Sequence, residues 1–242
     1  MLDALHHSLI SLIYPQECRI CLAHVDAVSD GVACAECWKK AHFLTGNELL
    51  CDKCGAFLGD DGSAFKAFCG KCNDHYYDYA RAIGIYESAL AASIIALKSK
   101  PFLPGRIRHA IKNSQSISNA EHFDLIIPIP LSKRRRIERG YNQAEIIAAE
   151  FGNALRIPVD SGSLARKLHT PFHRVGMDQK ARELTVKNAF EVVRPKLVAG
   201  KNILLVDDVL TSGSTASYCA KALKKSGAAK VIVLTIARAV LR

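Results

Sequence analysis

Eight of the chain's nine cysteines fall before residue 73, as four C-x-x-C pairs: Cys18/Cys21, Cys34/Cys37, Cys51/Cys54 and Cys69/Cys72. Successive pairs are separated by 12, 13 and 14 residues. Two thiolates three positions apart on a tight turn can point at one ion, and two such turns complete a tetrahedral site. A disulfide framework is the competing reading of eight cysteines, but it suits secreted chains. Residues 1–13 do not read as an export signal. Leu2, Leu5, Leu9 and Leu12 recur there at helical spacing, Asp3 precedes any basic residue, and the apolar stretch is short. The expectation is a short amphipathic helix on a cytoplasmic chain, followed by two structural Zn²⁺ sites. A redox role would need one pair beside a helix rather than four in series. Consecutive pairing of the turns gives two zinc ribbons in tandem and alternate pairing an interleaved knot; the consecutive arrangement is favoured. A segment below about 80 residues rarely buries enough apolar surface to hold itself, so metal is expected to supply much of its folding free energy.

The charge divides at the same place. Residues 1–79 carry 6 Lys/Arg against 11 Asp/Glu, and residues 80–242 carry 27 against 12. A domain boundary is therefore expected there, with an acidic cysteine module of residues 1–79 preceding a strongly basic domain of residues 80–242. Such an excess of positive charge draws polyanions, either nucleic acid or small substrates rich in phosphate. A solvated basic surface is the plainer alternative. With 49% hydrophobic and 23% charged residues the chain is not a disordered one. No apolar run reaches the roughly 18 residues a membrane helix needs, so no membrane insertion is expected.

From residue 80 the pattern alternates between strands and helices. Residues 80–86, 124–129, 201–207 and 230–237 read as strands, and residues 163–167 as a further short one. Helices are expected over 89–98, 142–155 and 214–226. The last places Ala216, Cys219, Ala220 and Leu223 on one face, with Gly227 as its stop signal. Cys219 reads as a small buried hydrophobe. Strands alternating with helices indicate an α/β fold with a parallel sheet covered on both sides. Ligands of such sheets bind beyond the carboxyl ends of the strands.

That rule singles out the run Leu205-Val206-Asp207-Asp208-Val209-Leu210-Thr211-Ser212-Gly213-Ser214-Thr215. A buried strand ends in two carboxylates, and a turn rich in hydroxyls and glycine leads into a helix. The turn offers N–H groups and hydroxyls to a phosphate, helped by the helix dipole. The paired acids suit the hydroxyls of a diol. A phosphate and a diol one loop apart describe a ribose 5-phosphate.

The segment resembles the phosphoribosyl pyrophosphate (PRPP) motif of type I phosphoribosyltransferases: hydrophobics, two acids, then T-x-G-x-T. The resemblance implies that Asp207 and Asp208 hold the ribose hydroxyls. Thr211, Ser212, Gly213, Ser214 and Thr215 would then bind the 5′-phosphate. Further residues narrow the likeness. Pro128-Ile129-Pro130-Leu131-Ser132 and Arg139-Gly140-Tyr141-Asn142-Gln143 are similar to two segments of the ComF/GntX branch, which joins an N-terminal cysteine module to this catalytic fold. The resemblance places a pyrophosphate-binding turn at Pro130 and Leu131, beside the basic cluster Lys133, Arg134, Arg135, Arg136 and Arg139. It also places a catalytic loop at residues 166–188, with Arg166 and Arg182 in its basic positions. Arg174, Met177 and Thr185 depart there from the family's usual pattern. His169 and His173 are the loop's candidate proton acceptors, and isolated loop histidines are more often merely exposed.

The implied chemistry is displacement of pyrophosphate from C1 of PRPP by a nitrogen nucleophile, with Mg²⁺ accompanying PRPP and Asp208 holding the sugar as positive charge develops. The leading reading is a PRPP-binding protein linked to the handling of single-stranded DNA in competence or DNA utilisation, with DNA-processing proteins as partners. The alternatives are a nucleotide-salvage phosphoribosyltransferase and a PRPP sensor without turnover.

Overall fold

The computed structural model describes residues 16–60, 66–114, 122–167 and 189–240. The amphipathic helix expected over residues 1–13 lies outside them.

The centre is a four-stranded, wholly parallel sheet built from β3 (Tyr79–Ile85), β4 (Leu125–Pro128), β7 (Asn202–Leu210) and β8 (Lys230–Arg238). Its order is β3-β8-β7-β4. Beyond β4, Val159 adds a parallel bridge to Ile126. Near-continuous runs such as Ile203, Leu204, Leu205 and Val206 are buried throughout. That is the pattern of strands covered on both faces rather than one.

Helices α2 (Ser88–Ala96), α3 (Gly105–Asn113) and α5 (Gln143–Leu155) cover one face. Ile94, Ile107, Ile147 and Phe151 meet Leu204 and Val206 there. Helix α7 (Ser214–Lys225) covers the other face together with the short α6 (Pro195–Val198) and the antiparallel pair β5 (Leu164–Arg166) and β6 (Phe190–Val192). The stripe Ala216, Cys219, Ala220 and Leu223 is buried against Leu205 and Val233, so the helical period expected from the sequence is the one that packs. Cys219 is a fully buried thiol.

The cysteine-rich segment does not hang off this body. Its elements are a single 3-10 turn (Val28–Asp30), α1 (Ala35–Lys39) and the hairpin β1 (Leu49–Leu50) and β2 (Phe57–Gly59). Between them, residues 42–44 run antiparallel to β3: Leu44 N–H donates to Ile83 O at 2.8 Å and Ile85 N–H to His42 O at 2.9 Å. Gly84 is required at that crossing, because a Cβ there would stand 2.6 Å from His42 O. The contact covers an edge strand that would otherwise expose unpaired backbone groups. The two ribbons fall on opposite sides of this edge. Cys18, Cys34, Cys37 and Trp38 join the core under α2, α3 and α5. Cys51, Cys54, Cys72 and Tyr77 join the core under α7.

The structure adds α3, β6 and α6, which the sequence pattern does not show, and pairs β5 antiparallel with β6 outside the parallel sheet. Two further elements depart from expectation. Strand β7 runs on past the acids to Leu210, because β8 continues alongside and pairs Val209 with Ala237 and Leu210 with Arg238. The basic run is helix α4 (Lys133–Arg139), started by Ser132, whose hydroxyl accepts from Arg135 N–H, and closed by Gly140 in the left-handed region.

Candidate ligand-binding crevice and cysteine clusters

The sulfurs group consecutively. Cys18, Cys21, Cys34 and Cys37 form one cluster and Cys51, Cys54, Cys69 and Cys72 a second, with all ligand atoms of each within 4.8 Å of one another. Neighbouring sulfurs stand 3.6–3.7 Å apart. A disulfide would need about 2.05 Å. A tetrahedron with Zn–S arms of about 2.3 Å has edges near 3.8 Å, so the spacing fits zinc. Local backbone favours one thiolate in each cluster, while burial raises Cys37, Cys54 and Cys72. Burial opposes ionisation of Cys18, yet N–H groups of Cys21, Cys34 and Ile20 bring its thiol down to about 6. Cys51 is brought to about 7 in the same way, against burial, by Cys54, Cys69 and Lys53. The chain thus carries two four-cysteine zinc-ribbon sites.

The sheet builds a second site. Strand β4 leads through α4 to α5 on one face, while the neighbouring strand β7 leads to α7 on the other. Where the following helices part to opposite faces, the carboxyl ends of adjacent strands leave a crevice. The turn holding Pro130 and Leu131 and the turn from Thr211 to Thr215 flank it. The first is fixed by Ile129 N–H donating to Val206 O at 2.8 Å and by buried Asn142, whose Nδ2 donates to Ile129 O at 3.0 Å. Asn142 also caps α5 through Ala144 N–H. Tyr141 donates its hydroxyl to Leu97 O at 2.7 Å. The R-G-Y-N-Q run therefore braces the crevice from α4 to α5. Gln143 is buried, and its Nε2 has no partner among the described residues.

Because side chains alternate along a strand, Asp207 and Asp208 lie on opposite faces at the mouth. Burial pushes the Asp207 carboxyl well above its usual range, the charge of Asp208 adds to that, and Arg166 opposes it. Burial also raises Asp208, against the pull of Val209 N–H and of the charges on Lys98 and Arg139. Arg166 lies with its guanidinium 5.3 Å from the centre of the Phe190 ring, which places it at the root of the segment joining β5 to β6. Beyond Leu210, Ser212 Oγ and Ser214 Oγ are 3.0 Å apart. Gly213 takes φ of +80° and leads into α7, whose N-terminus has no side-chain cap. Donors and acids thus sit at the two ends of one short loop.

Of the sequence-derived site residues, Asp207, Asp208, Thr211, Ser212, Gly213, Ser214 and Thr215 lie on β7 and its turn into α7, and Pro130 and Leu131 follow the neighbouring strand β4. Arg139 ends α4 and acts on Asp208, and Arg166 ends β5 and acts on Asp207. Arg182, with His169, His173, Arg174, Met177 and Thr185, lies outside the described residues. On α4, Arg134 pairs with Glu138 at 2.7 Å and Arg136 with Glu145 at 2.5 Å. These exposed pairs are weak and leave both cations open to exchange. Sequence reasoning missed Lys98, which acts on Asp208 from the turn after α2. It also missed Arg238, which gives no motif signal inside an apolar strand. A separate cavity of about 1160 Å³ between the cysteine segment and the β3 edge contains none of the motif residues. No helix among the described residues is long and apolar enough to cross a membrane.

Comparison with known proteins agrees in two parts. Residues 9–73 match the double zinc ribbon domain and residues 104–240 the phosphoribosyl transferase domain. The chain is similar to competence protein F of Haemophilus influenzae, with 29% identity over 92% of this chain and 96% of that one. It is also similar to the DNA utilization protein YhgH of Escherichia coli O157:H7, at 26% identity over 94% and 99%. Competence protein ComFC of Bacillus subtilis is 26% identical over 86% and 85%.

Proposed function

Because the chain belongs to the phosphoribosyl transferase family, we propose that it binds PRPP with Mg²⁺ in the crevice between β4 and β7. The observation that carries this reading is the pair of acids on opposite faces of β7, one loop away from the uncapped start of α7. Asp207 and Asp208 accept hydrogen bonds from the ribose hydroxyls. The turn Thr211, Ser212, Gly213, Ser214 and Thr215 supplies N–H and hydroxyl donors to the 5′-phosphate. The charges of Lys98 and Arg139 act on Asp208, and the two side chains are assigned to the pyrophosphate. Bound Mg²⁺ would supply charge stabilisation to the departing pyrophosphate, and Asp208 would be the carboxylate of this chain to help hold it.

In turnover, a nitrogen nucleophile forms a bond to C1 as the C1–O bond to pyrophosphate breaks, and the nucleophile's proton passes to solvent or a base. Asp208 offsets positive charge developing on the sugar, and Arg166 at the end of β5 is assigned to the leaving group, as is Arg182 by resemblance alone. On this reading residues 1–79 are the metal-held part and residues 80–242 the ligand-binding part of the folded chain.

The biological role we infer is DNA handling, as the names of the similar competence and DNA utilization proteins indicate. The exposed Lys133, Arg134 and Arg136 on α4 give a strand's phosphates a basic rim beside the crevice. Isothermal titration of the full chain with PRPP and Mg²⁺, and then with a short single-stranded oligonucleotide, tests both parts. One PRPP per chain is expected. No heat with PRPP would reject the ligand reading, and release of labelled pyrophosphate only when a nitrogen base is added would favour the salvage enzyme.

A further inference from the structure

The loop that follows the acids does not rest on its own sheet alone. Arg238 closes β8 and is buried, with 3% of its surface exposed. Its Nη1 donates to Leu210 O at 2.7 Å, to Thr211 O, and to Ala239 O at 3.2 Å. Its Nε donates to Cys54 O at 3.2 Å, and its Nη2 lies 3.7 Å from Cys54 Sγ. One guanidinium therefore ties the start of the ligand loop to a sulfur of the second cysteine cluster. A buried arginine needs anionic company, and four thiolates around one Zn²⁺ carry two net negative charges.

A second set of contacts runs the same way. His75 and Tyr77 lie three and five residues after Cys72, and His75 Nδ1 stands 2.5 Å from the Tyr77 hydroxyl. Lys53 holds this stretch by donating to Tyr77 O at 2.5 Å. The pair forms the seat of Gly213, where an added Cβ would stand 2.8 Å from both His75 Cε1 and the Tyr77 hydroxyl. Tyr76 N–H donates to Ser217 Oγ at 3.0 Å, and Lys221 Nζ reaches the Tyr76 hydroxyl at 2.7 Å. The loop and the first turn of α7 are thus packed on the segment that leaves the second cluster. The first cluster faces elsewhere: Ser88 Oγ of α2 donates to Cys37 O at 3.0 Å, on the opposite side of the sheet.

We propose that Arg238 and the His75–Tyr77 pair are positioning residues that make the geometry of the Thr211–Thr215 loop depend on the second cysteine cluster and not on the first. The two ribbons then have different duties. The first completes the core beneath α2, α3 and α5. The second is the floor of the ligand loop, so metal loss there alone loosens the loop. The inference rests on the proposed ligand site only for its effect on binding.

Hydrogen–deuterium exchange of the full chain tests it, read on peptides covering residues 209–217, with peptides of α5 as the internal control for the Arg238 and second-cluster variants and as the responding element for the first-cluster variant. Arg238→Gln should retain two zinc ions and lower loop protection at least about tenfold, the equivalent of one charge-assisted hydrogen bond. Arg238→Lys keeps the charge without the planar fork and should fall with it. Cys69→Ser with Cys72→Ser should loosen the same peptides, and Cys34→Ser with Cys37→Ser should not. If a cysteine variant fails to fold, Tyr77→Phe gives the second arm, with a smaller loss confined to the loop.

Unchanged loop protection in Arg238→Gln, full recovery in Arg238→Lys, or equal loosening by both cysteine pairs would each overturn the proposal. PRPP titration of the same samples separates the two claims. A wild-type chain that shows the expected exchange pattern yet binds no PRPP would sink the ligand reading and leave the positioning role standing.

Discussion

Replacing Asp207 by Asn removes an ionisable carboxyl from the crevice and very little else. The amide has the same outline, and its oxygen can still accept the Asp208 N–H that Asp207 Oδ1 accepts at 2.9 Å. The fold should therefore survive. What is lost is the carboxylate form that a bound ribose hydroxyl would select, and a hydrogen bond to a charged group contributes about 1.5–3 kcal/mol, or roughly 10- to 150-fold in affinity. Asp208→Asn should cost a comparable amount. The double variant should lose less than the product of the two, because adjacent acids on one diol are coupled. Isothermal titration with PRPP and Mg²⁺ at neutral pH measures all three variants against the wild-type chain. Elemental zinc and far-UV circular dichroism confirm that each is folded. Wild-type affinity in the double variant, with fold and zinc intact, would refute the assignment of these acids to the sugar.

Three further outcomes are expected. Elemental analysis should find about two zinc ions per folded chain, and a folded chain with free thiols and no zinc would contradict the tetrahedral reading. Stability should fall as pH rises through the window from the ordinary aspartate range up to the raised value of Asp207, because the folded state there favours the protonated form. Asp207→Asn should accordingly melt above wild type at neutral pH and converge with it in acid, and identical melting at all pH values would oppose this. If single-stranded DNA lies along α4, replacing the exposed Lys133, Arg134 and Arg136 with Ala should flatten the slope of log affinity against log salt by about 2, at roughly 0.7 per phosphate. An unchanged slope would place the DNA on another surface.

The parts of the fold that could be read from sequence are those with local causes. Each C-x-x-C turn brings its two sulfurs together within three residues, so two metal sites follow from spacing alone. The alternation of β7, α7 and β8 follows from an apolar run, a helical stripe at Ala216, Cys219, Ala220 and Leu223, and a second apolar run. The motif from Asp207 to Thr215 is contiguous, and so is its chemistry.

What escaped the sequence depends on contacts distant along the chain. The end of β7 at Leu210 is set by its neighbour β8, 28 residues away at Arg238. Arg238 closes an apolar strand and carries no motif signal, and its role shows only when Cys54, 184 residues earlier, is brought beside it. Lys98 lies in no motif and reaches Asp208 only through the packing of α2. Helix α4 was hidden because four basic residues in a row carry no apolar period, and only Ser132 and Gly140 mark its ends.

The most direct test of the central claim is a crystal structure of the full chain with PRPP and Mg²⁺. The account predicts ribose hydroxyls within hydrogen-bond distance of Asp207 and Asp208, the 5′-phosphate on the N–H groups of the Thr211–Thr215 turn, and the pyrophosphate toward Arg139 and the Pro130–Leu131 turn. PRPP bound with its phosphate away from that turn, or on the far side of the sheet with both acids unengaged, would contradict it.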